Sequence, residues 1–152
     1  MRLHVPIKLR WSDLDAYGHV NNAAMLTLLE ESRISVFWHG ELKVSGVAET
    51  ASIGADTLTL IGRQEVEYLA PIPYGREPLD IQLWIGRIGG ASLDVCYEVC
   101  SPEGTDPHTV YARAASGIVL VDAATMRPRR IADRERDSWS RYLDEPVQFN
   151  RR

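Results

Sequence analysis

Arg10-Trp11-Ser12-Asp13-Leu14-Asp15-Ala16-Tyr17-Gly18-His19-Val20-Asn21-Asn22 is the stretch that decides the fold of this 152-residue chain. Upstream of it, residues 4–12 alternate. Val5, Ile7, Leu9 and Trp11 fall on one side, and Pro6, Lys8, Arg10 and Ser12 on the other. That is the pattern of a half-buried strand, with Pro6 near its start or on a sheet edge. Downstream, residues 22–38 carry a helical stripe of Met25, Leu29, Ser32 and Val36, flanked by Leu26, Leu28, Arg33 and Phe37. Asn21 or Asn22 suits the N-cap and Gly40 the C-terminal stop. The stretch is therefore a turn from strand to helix, and it places Asp13 and Asp15 near the unpaired N–H groups of a helix start.

Outward from the helix, residues 41–57 show little periodicity and are expected to form a loop or flap. Period-two alternation then returns, predicting strands at 58–70, 79–89, 91–101 and 108–122. Leu79, Ile81, Leu83 and Ile85 alternate with Asp80, Gln82, Trp84 and Gly86, and Leu93, Val95, Tyr97 and Val99 with Ser92, Asp94, Cys96 and Glu98. Gly89-Gly90 marks a hairpin. From Arg127 the chain is rich in charge, with Ile131, Trp139 and Leu143 available to anchor a short helix. The expected fold class is α+β, an antiparallel sheet of about five strands wrapped round one long central helix. Residues 1–125 form the domain, and 126–152 a charged C-terminal extension packed on it. A helix side and a sheet edge left bare in such a unit predict a symmetric homodimer, or a homotetramer built from dimers.

The bulk numbers fit one soluble domain: 45% hydrophobic and 25% charged residues. A net charge of −4 argues against nucleic acid as the main partner. No apolar run has the length of a signal peptide core or a membrane span, so the expected location is the cytoplasm, without a membrane partner. Cys96 and Cys100 lie four apart in a strand, roughly 13 Å between Cα atoms and beyond the ~7 Å reach of a disulfide, so both are expected to be reduced. His4, His19, His39 and His108 have no metal-ligand spacing, and neither a metal nor another cofactor is expected.

The segment Trp11-Ser12-Asp13-Leu14-Asp15, followed by His19-Val20-Asn21-Asn22, resembles the hotdog-fold thioesterases. It is most similar to the 4-hydroxybenzoyl-CoA thioesterase group, and it is also close to the plant acyl-carrier-protein thioesterases. Glu67-Tyr68-Leu69-Ala70-Pro71-Ile72 and Arg87-Ile88-Gly89-Gly90-Ala91-Ser92 resemble the family's strand after the helix and its hairpin near CoA. The resemblance spans roughly residues 3–122. It implies an acyl-CoA thioesterase in which Asp15, the second Asp of the pair, is the catalytic carboxylate. In the carrier-protein enzymes an Asn and a His join that Asp. Here the corresponding positions are Tyr17 and His19, so the His is kept and the Asn is not. That departure favours a CoA thioester over a carrier-protein one.

The residues fit such chemistry. No Gly-x-Ser-x-Gly elbow occurs, so the serine-triad route is excluded. Asp15 would attack the thioester carbonyl or deprotonate a water, two routes the sequence leaves open. Backbone N–H groups near Val20, Asn21 and Asn22 would hold the developing oxyanion, with Asn22 the member assigned to the site. His19 would orient the turn or polarise the substrate, and Tyr17 would wall the pocket. Arg87, Gly89 and Gly90 would receive the CoA phosphates. Asp13 is expected to be structural, Tyr68 a core or interface packing residue, and Glu30 and Glu31 a solvated or interface face of the helix. A non-catalytic acyl-CoA-binding protein would use the same residues without turnover.

Overall fold

A computed structural model describes residues 1–38, 40, 42 and 56–150. The elements in chain order are β1 (Leu3–Ile7), α1 (Asn22–Phe37), β2 (Thr57–Tyr68), β3 (Leu79–Ile88), β4 (Ser92–Cys100), β5 (Val110–Asp122) and α2 (Asp133–Ser140). The strands form one antiparallel sheet in the order β1-β3-β4-β5-β2. The α+β class and the five-stranded antiparallel sheet are as the alternation predicts. Among the described residues there are two α-helices, one of 16 residues and one of 8. Most of the expected flap over 41–57 lies outside the described residues.

The inner face of the sheet is the predicted one. Leu79, Ile81, Leu83 and Ile85 are at most 3% exposed, and Leu93, Val95, Tyr97 and Val99 are fully buried. Met25, Leu28, Leu29, Val36 and Phe37 of α1 join them in one core. Helix α1 starts with the Asn21 side chain accepting from the Ala23 N–H at 2.7 Å, an N-cap that satisfies one of the orphan donors.

Strand β1 is shorter than its alternation. It stops at Ile7, and Trp11–Asp13 winds into a 3-10 turn. Leu9 stays in the core, but Trp11 swings outward to 77% exposure. The cause is Asp13. Its buried carboxylate accepts from the Arg10 N–H at 2.7 Å and the Arg10 guanidinium at 2.9 Å, which curls the chain before Trp11 can continue the strand. Pro6 sits in an edge strand, where its missing donor does least harm.

The outer face is covered by the chain's own end. Trp84, Cys96 and Cys100 alternate outward yet are at most 2% exposed. The Trp84 indole donates to the Glu145 carbonyl at 2.8 Å, and the Asn150 N–H donates to Glu67 at 2.7 Å. The tail thus crosses from β3 to β2. A Cβ on Gly86 would come within 2.8 Å of the Cys96 sulfur and 3.3 Å of Pro146, so glycine is what lets the tail lie flat. Both cysteines are free and buried, and burial pushes the Cys100 thiol up to about 12.

Ile131, Trp139 and Tyr142 are buried in the core cluster, whereas Leu143 is left 41% exposed. Trp139 meets Phe37 of α1 edge to face at 6.2 Å. Trp139→Ala is expected to destabilise the protein by about 3–5 kcal/mol, the usual cost of emptying a buried aromatic site. A shift of the urea midpoint checks this.

Candidate active site

The turn between β1 and α1 is closed by a ladder of bonds. The Asp15 N–H donates to the His19 carbonyl at 2.7 Å, and the Gly18 N–H to the Asp15 carbonyl at 3.2 Å. Gly18 takes a left-handed φ of 77°, which a side chain would strain. The Asn21 N–H donates to the Asp13 carbonyl at 2.8 Å and the Val20 N–H to the Ile72 carbonyl at 2.9 Å. The segment after β2 therefore holds the turn from its far side.

Asp15 is half-buried within this ladder. Its Oδ1 accepts from the N–H groups of Tyr17 at 2.8 Å and His19 at 3.1 Å. That fixes the carboxylate plane, and among the described residues Oδ2 makes no hydrogen bond. One oxygen is anchored, and the other is free of hydrogen bonds among the described residues.

Two of the three expected N–H donors are already taken. Val20 and Asn21 spend theirs on Ile72 and Asp13, because the turn closes with strand-like bridges at Leu14–Val20 and His19–Pro73. The Asn22 N–H, at the first position of α1, keeps no partner among the described residues, as a helix start requires. Tyr68 has a role that packing did not suggest. It is 52% exposed, and its hydroxyl donates to the Asn22 carbonyl at 2.8 Å, tying the end of β2 to the first turn of α1.

His19 contributes its backbone to the turn, and its imidazole makes no hydrogen bond among the described residues. Tyr17 stands at the tip of the turn with 85% exposure, so within one chain it walls nothing. Trp11 and Tyr74 pack edge to face at 5.5 Å.

Arg87, Gly89 and Gly90 belong to a different surface. Arg87 donates to Asp94 at 3.0 Å across the β3–β4 hairpin. The Gly89 N–H bonds Ser92 at 2.7 Å and the Gly89 carbonyl accepts from Arg136 at 2.9 Å, while the Ile131 N–H reaches the Gly90 carbonyl at 2.8 Å. The glycine pair is thus not the open cradle its sequence suggests. The segment around α2 takes up both carbonyls, while Gly90 stays exposed with its N–H without a partner among the described residues. Beside it, Arg63, Arg87, Asp94 and Pro146 border a groove of about 530 Å³.

A profile of the thioesterase-like superfamily matches residues 9–140. The chain belongs to that superfamily, and its class is that of the hotdog-fold thioesterases, thioester-hydrolysing enzymes. The chain is similar to the acyl-CoA thioester hydrolase YbgC of Escherichia coli, at 25% identity over 126 residues, 83% of this chain and 87% of that one. It is 32% identical to the uncharacterized protein YsmA of Bacillus subtilis over 92 residues, 60% of this chain and 56% of that one. Among solved structures, a predicted thioesterase from Bacillus stearothermophilus superposes with a TM-score of 0.78 at 26% identity, covering 97% of this chain and 100% of that chain. A thioesterase from Thermus thermophilus, complexed with coenzyme A and Zn, gives 0.68 at 25% identity, with 95% of each chain covered.

Asp13 supports the turn electrostatically. Burial pushes its carboxyl up, but the hydrogen bonds and charge of Arg10 outweigh that and hold it below the usual carboxylate range. A carboxylate depressed on folding adds stability above its unfolded pKa, ~3.9, and loses it as pH falls through the folded value. Asp13→Asn is therefore expected to cost about 1–3 kcal/mol at neutral pH. The gap from wild type should close in acid, as thermal melts across pH would show.

Proposed function

We propose that the protein hydrolyses acyl-CoA thioesters to the free acid and CoA, with Asp15 as the catalytic carboxylate. One observation carries this reading. Asp15 has one oxygen pinned by two backbone N–H groups and the other without a partner among the described residues, in the turn that leads to the Asn22 N–H. The carbonyl oxygen of the substrate accepts from that N–H, where the helix dipole favours the charge it gains. The free Asp15 oxygen then acts in one of two ways. As nucleophile it bonds to the carbonyl carbon, the C–S bond breaks, CoA leaves as thiolate, and water hydrolyses the mixed anhydride. As base it takes a proton from the water that attacks the carbonyl carbon, and the adduct collapses by breaking the C–S bond and releasing CoA as thiolate. His19 polarises the substrate or orients the turn.

The finer architecture belongs to the same reading. The unit is a hotdog domain, residues 1–125, with its sheet round the long helix α1 and an extension from 126 to 152. Strand β2 ends the sheet, and Leu60, Ile61 and Tyr68 on it are 41%, 41% and 52% exposed. A second copy across that edge makes the homodimer, gives Tyr17 a wall to complete and closes the site over Asp15. Pairs of dimers would make the tetramer. Arg87 and the Gly90 N–H are the groups the hairpin retains for the CoA phosphates. No described helix is long and apolar enough to cross a membrane, and we place the enzyme in the cytoplasm. A second reading, hydrolysis of acyl-carrier-protein thioesters, is favoured by His19-Val20-Asn21-Asn22, and matched CoA and carrier-protein substrates separate the two by rate.

Asp15→Asn should abolish thiol release from acyl-CoA, followed with a thiol reagent, while circular dichroism stays unchanged. Activity equal to wild type contradicts the role. Asn22→Pro tests the donor. Proline is welcome at a first helical position, and Asn21 already has the extended conformation, ψ 139°, that a following proline demands. The helix should persist and kcat should fall about 10²–10³-fold, the usual cost of one oxyanion donor.

A further inference from the structure

Arg33 on α1 is a buried cation, 8% exposed. Its Nη1 donates to the Tyr97 hydroxyl at 3.1 Å. Gln64 Oε1 at 3.4 Å and the Ser116 hydroxyl at 3.5 Å lie beyond the usual span of ~2.7–3.2 Å, and those two already bond each other at 3.0 Å. Every one of these partners is neutral. Among the described residues no carboxylate pairs with Arg33, and its Nε and Nη2 have no hydrogen-bond acceptor. A guanidinium does not discharge by losing its proton, so its desolvation stays uncompensated until an anion pairs with it.

Arg33 borders a cavity of about 290 Å³. Ile34, Phe37 and Trp38 of α1 line it with Thr59, Ile61 and Ile118 of the sheet. Glu30, one turn earlier, also borders it, but is exposed and makes no ion pair with Arg33. The volume falls at the low end of ligand pockets, ~300–1,000 Å³, which suits a small occupant.

The cavity is separate from the candidate active site. Its three apolar helix residues all follow Arg33 in the chain, so the lining extends from Arg33 towards the C-terminal end of α1. Asn22 lies at the other end of the helix, roughly 16 Å from Arg33 at ~1.5 Å per residue. The cavity thus offers one unpaired cation at its edge and apolar walls beyond it. That is the complement of a small amphipathic acid.

We propose that this cavity binds a free monocarboxylic acid with a compact apolar body, at a site distinct from Asp15. The carboxylate accepts from Nε and Nη2 of Arg33 as a charge-assisted, two-point pair, and Nη1 keeps Tyr97. The hydrocarbon lies against Phe37, Trp38, Ile61 and Ile118. Both halves of the ligand are needed. A shorter acid leaves the apolar walls in contact with water, and an uncharged amide leaves the buried cation unpaired. The assignment stands on Arg33 and its cavity, and it does not depend on thioester hydrolysis.

The test titrates hexanoate, acetate and hexanamide calorimetrically into the full chain. Wild type should bind hexanoate about tenfold or more tighter than either of the others, since one lacks the methylenes and the other the charge. Arg33→Met, unbranched and uncharged, should lose hexanoate binding while its melting temperature holds or rises, as removal of a buried unpaired charge allows. Thr59→Trp, which fills the cavity and keeps the guanidinium, should also lose it and serves if the Met variant does not fold. Arg63→Met removes a cation that is 81% exposed on β2 and should bind hexanoate as wild type does. No saturable binding to wild type overturns the proposal. A carboxylate from a second copy of the chain, already paired with Arg33, would give that result. Equal hexanoate affinity in Arg33→Met, or hexanamide binding as tightly as hexanoate, overturns it as well.

Discussion

The buried carboxylate of Asp13 is the constraint on which the rest of the site depends. A carboxylate 1% exposed must find donors, and it finds them in the backbone and guanidinium of Arg10. That bond ends strand β1 early. It also brings the Asp13 carbonyl to the Asn21 N–H, which fixes where α1 begins. Asp15 is then carried, two residues on, into a turn whose own N–H groups orient its carboxylate. Asp13 thus sets the backbone, and Asp15 is left with one carboxylate oxygen free among the described residues.

The sheet serves this turn at both ends. Ile72 and Pro73 brace it from the segment after β2, and the Tyr68 hydroxyl holds the first carbonyl of α1.

Much of this was legible in the sequence, for a physical reason. A sheet with one face on a core imposes strict alternation, so Leu79 to Ile85 and Leu93 to Val99 declared their faces and their strands within a residue or two. The N-cap was equally plain, because Asn21 can satisfy a helix start by itself. Trp11 misled because alternation is blind to a bond made by a later residue, and Asp13 diverts the strand just there. The value of Val20 and Asn21 as donors was overstated for the same reason: their partners, Ile72 and Asp13, are set by tertiary closure. The burial of Trp84 and Cys96 under residues 145–147 carried no periodic signal, since a tail lying flat on a sheet needs none. Arg33 was hidden by its type. An arginine on the flank of a helical stripe is ordinarily solvated, and only the sheet packed over it shows that this one is not.

On the proposed reading, a thioester carbonyl sits between the free oxygen of Asp15 and the N–H of Asn22. A crystal structure with a non-hydrolysable ketone analogue of an acyl-CoA, a methylene standing in for the thioester sulfur, measures that geometry directly. The account predicts the analogue's carbonyl oxygen at ~3 Å from the Asn22 nitrogen, with its carbonyl carbon facing Asp15. An analogue bound with that carbonyl away from the β1–α1 turn would contradict it.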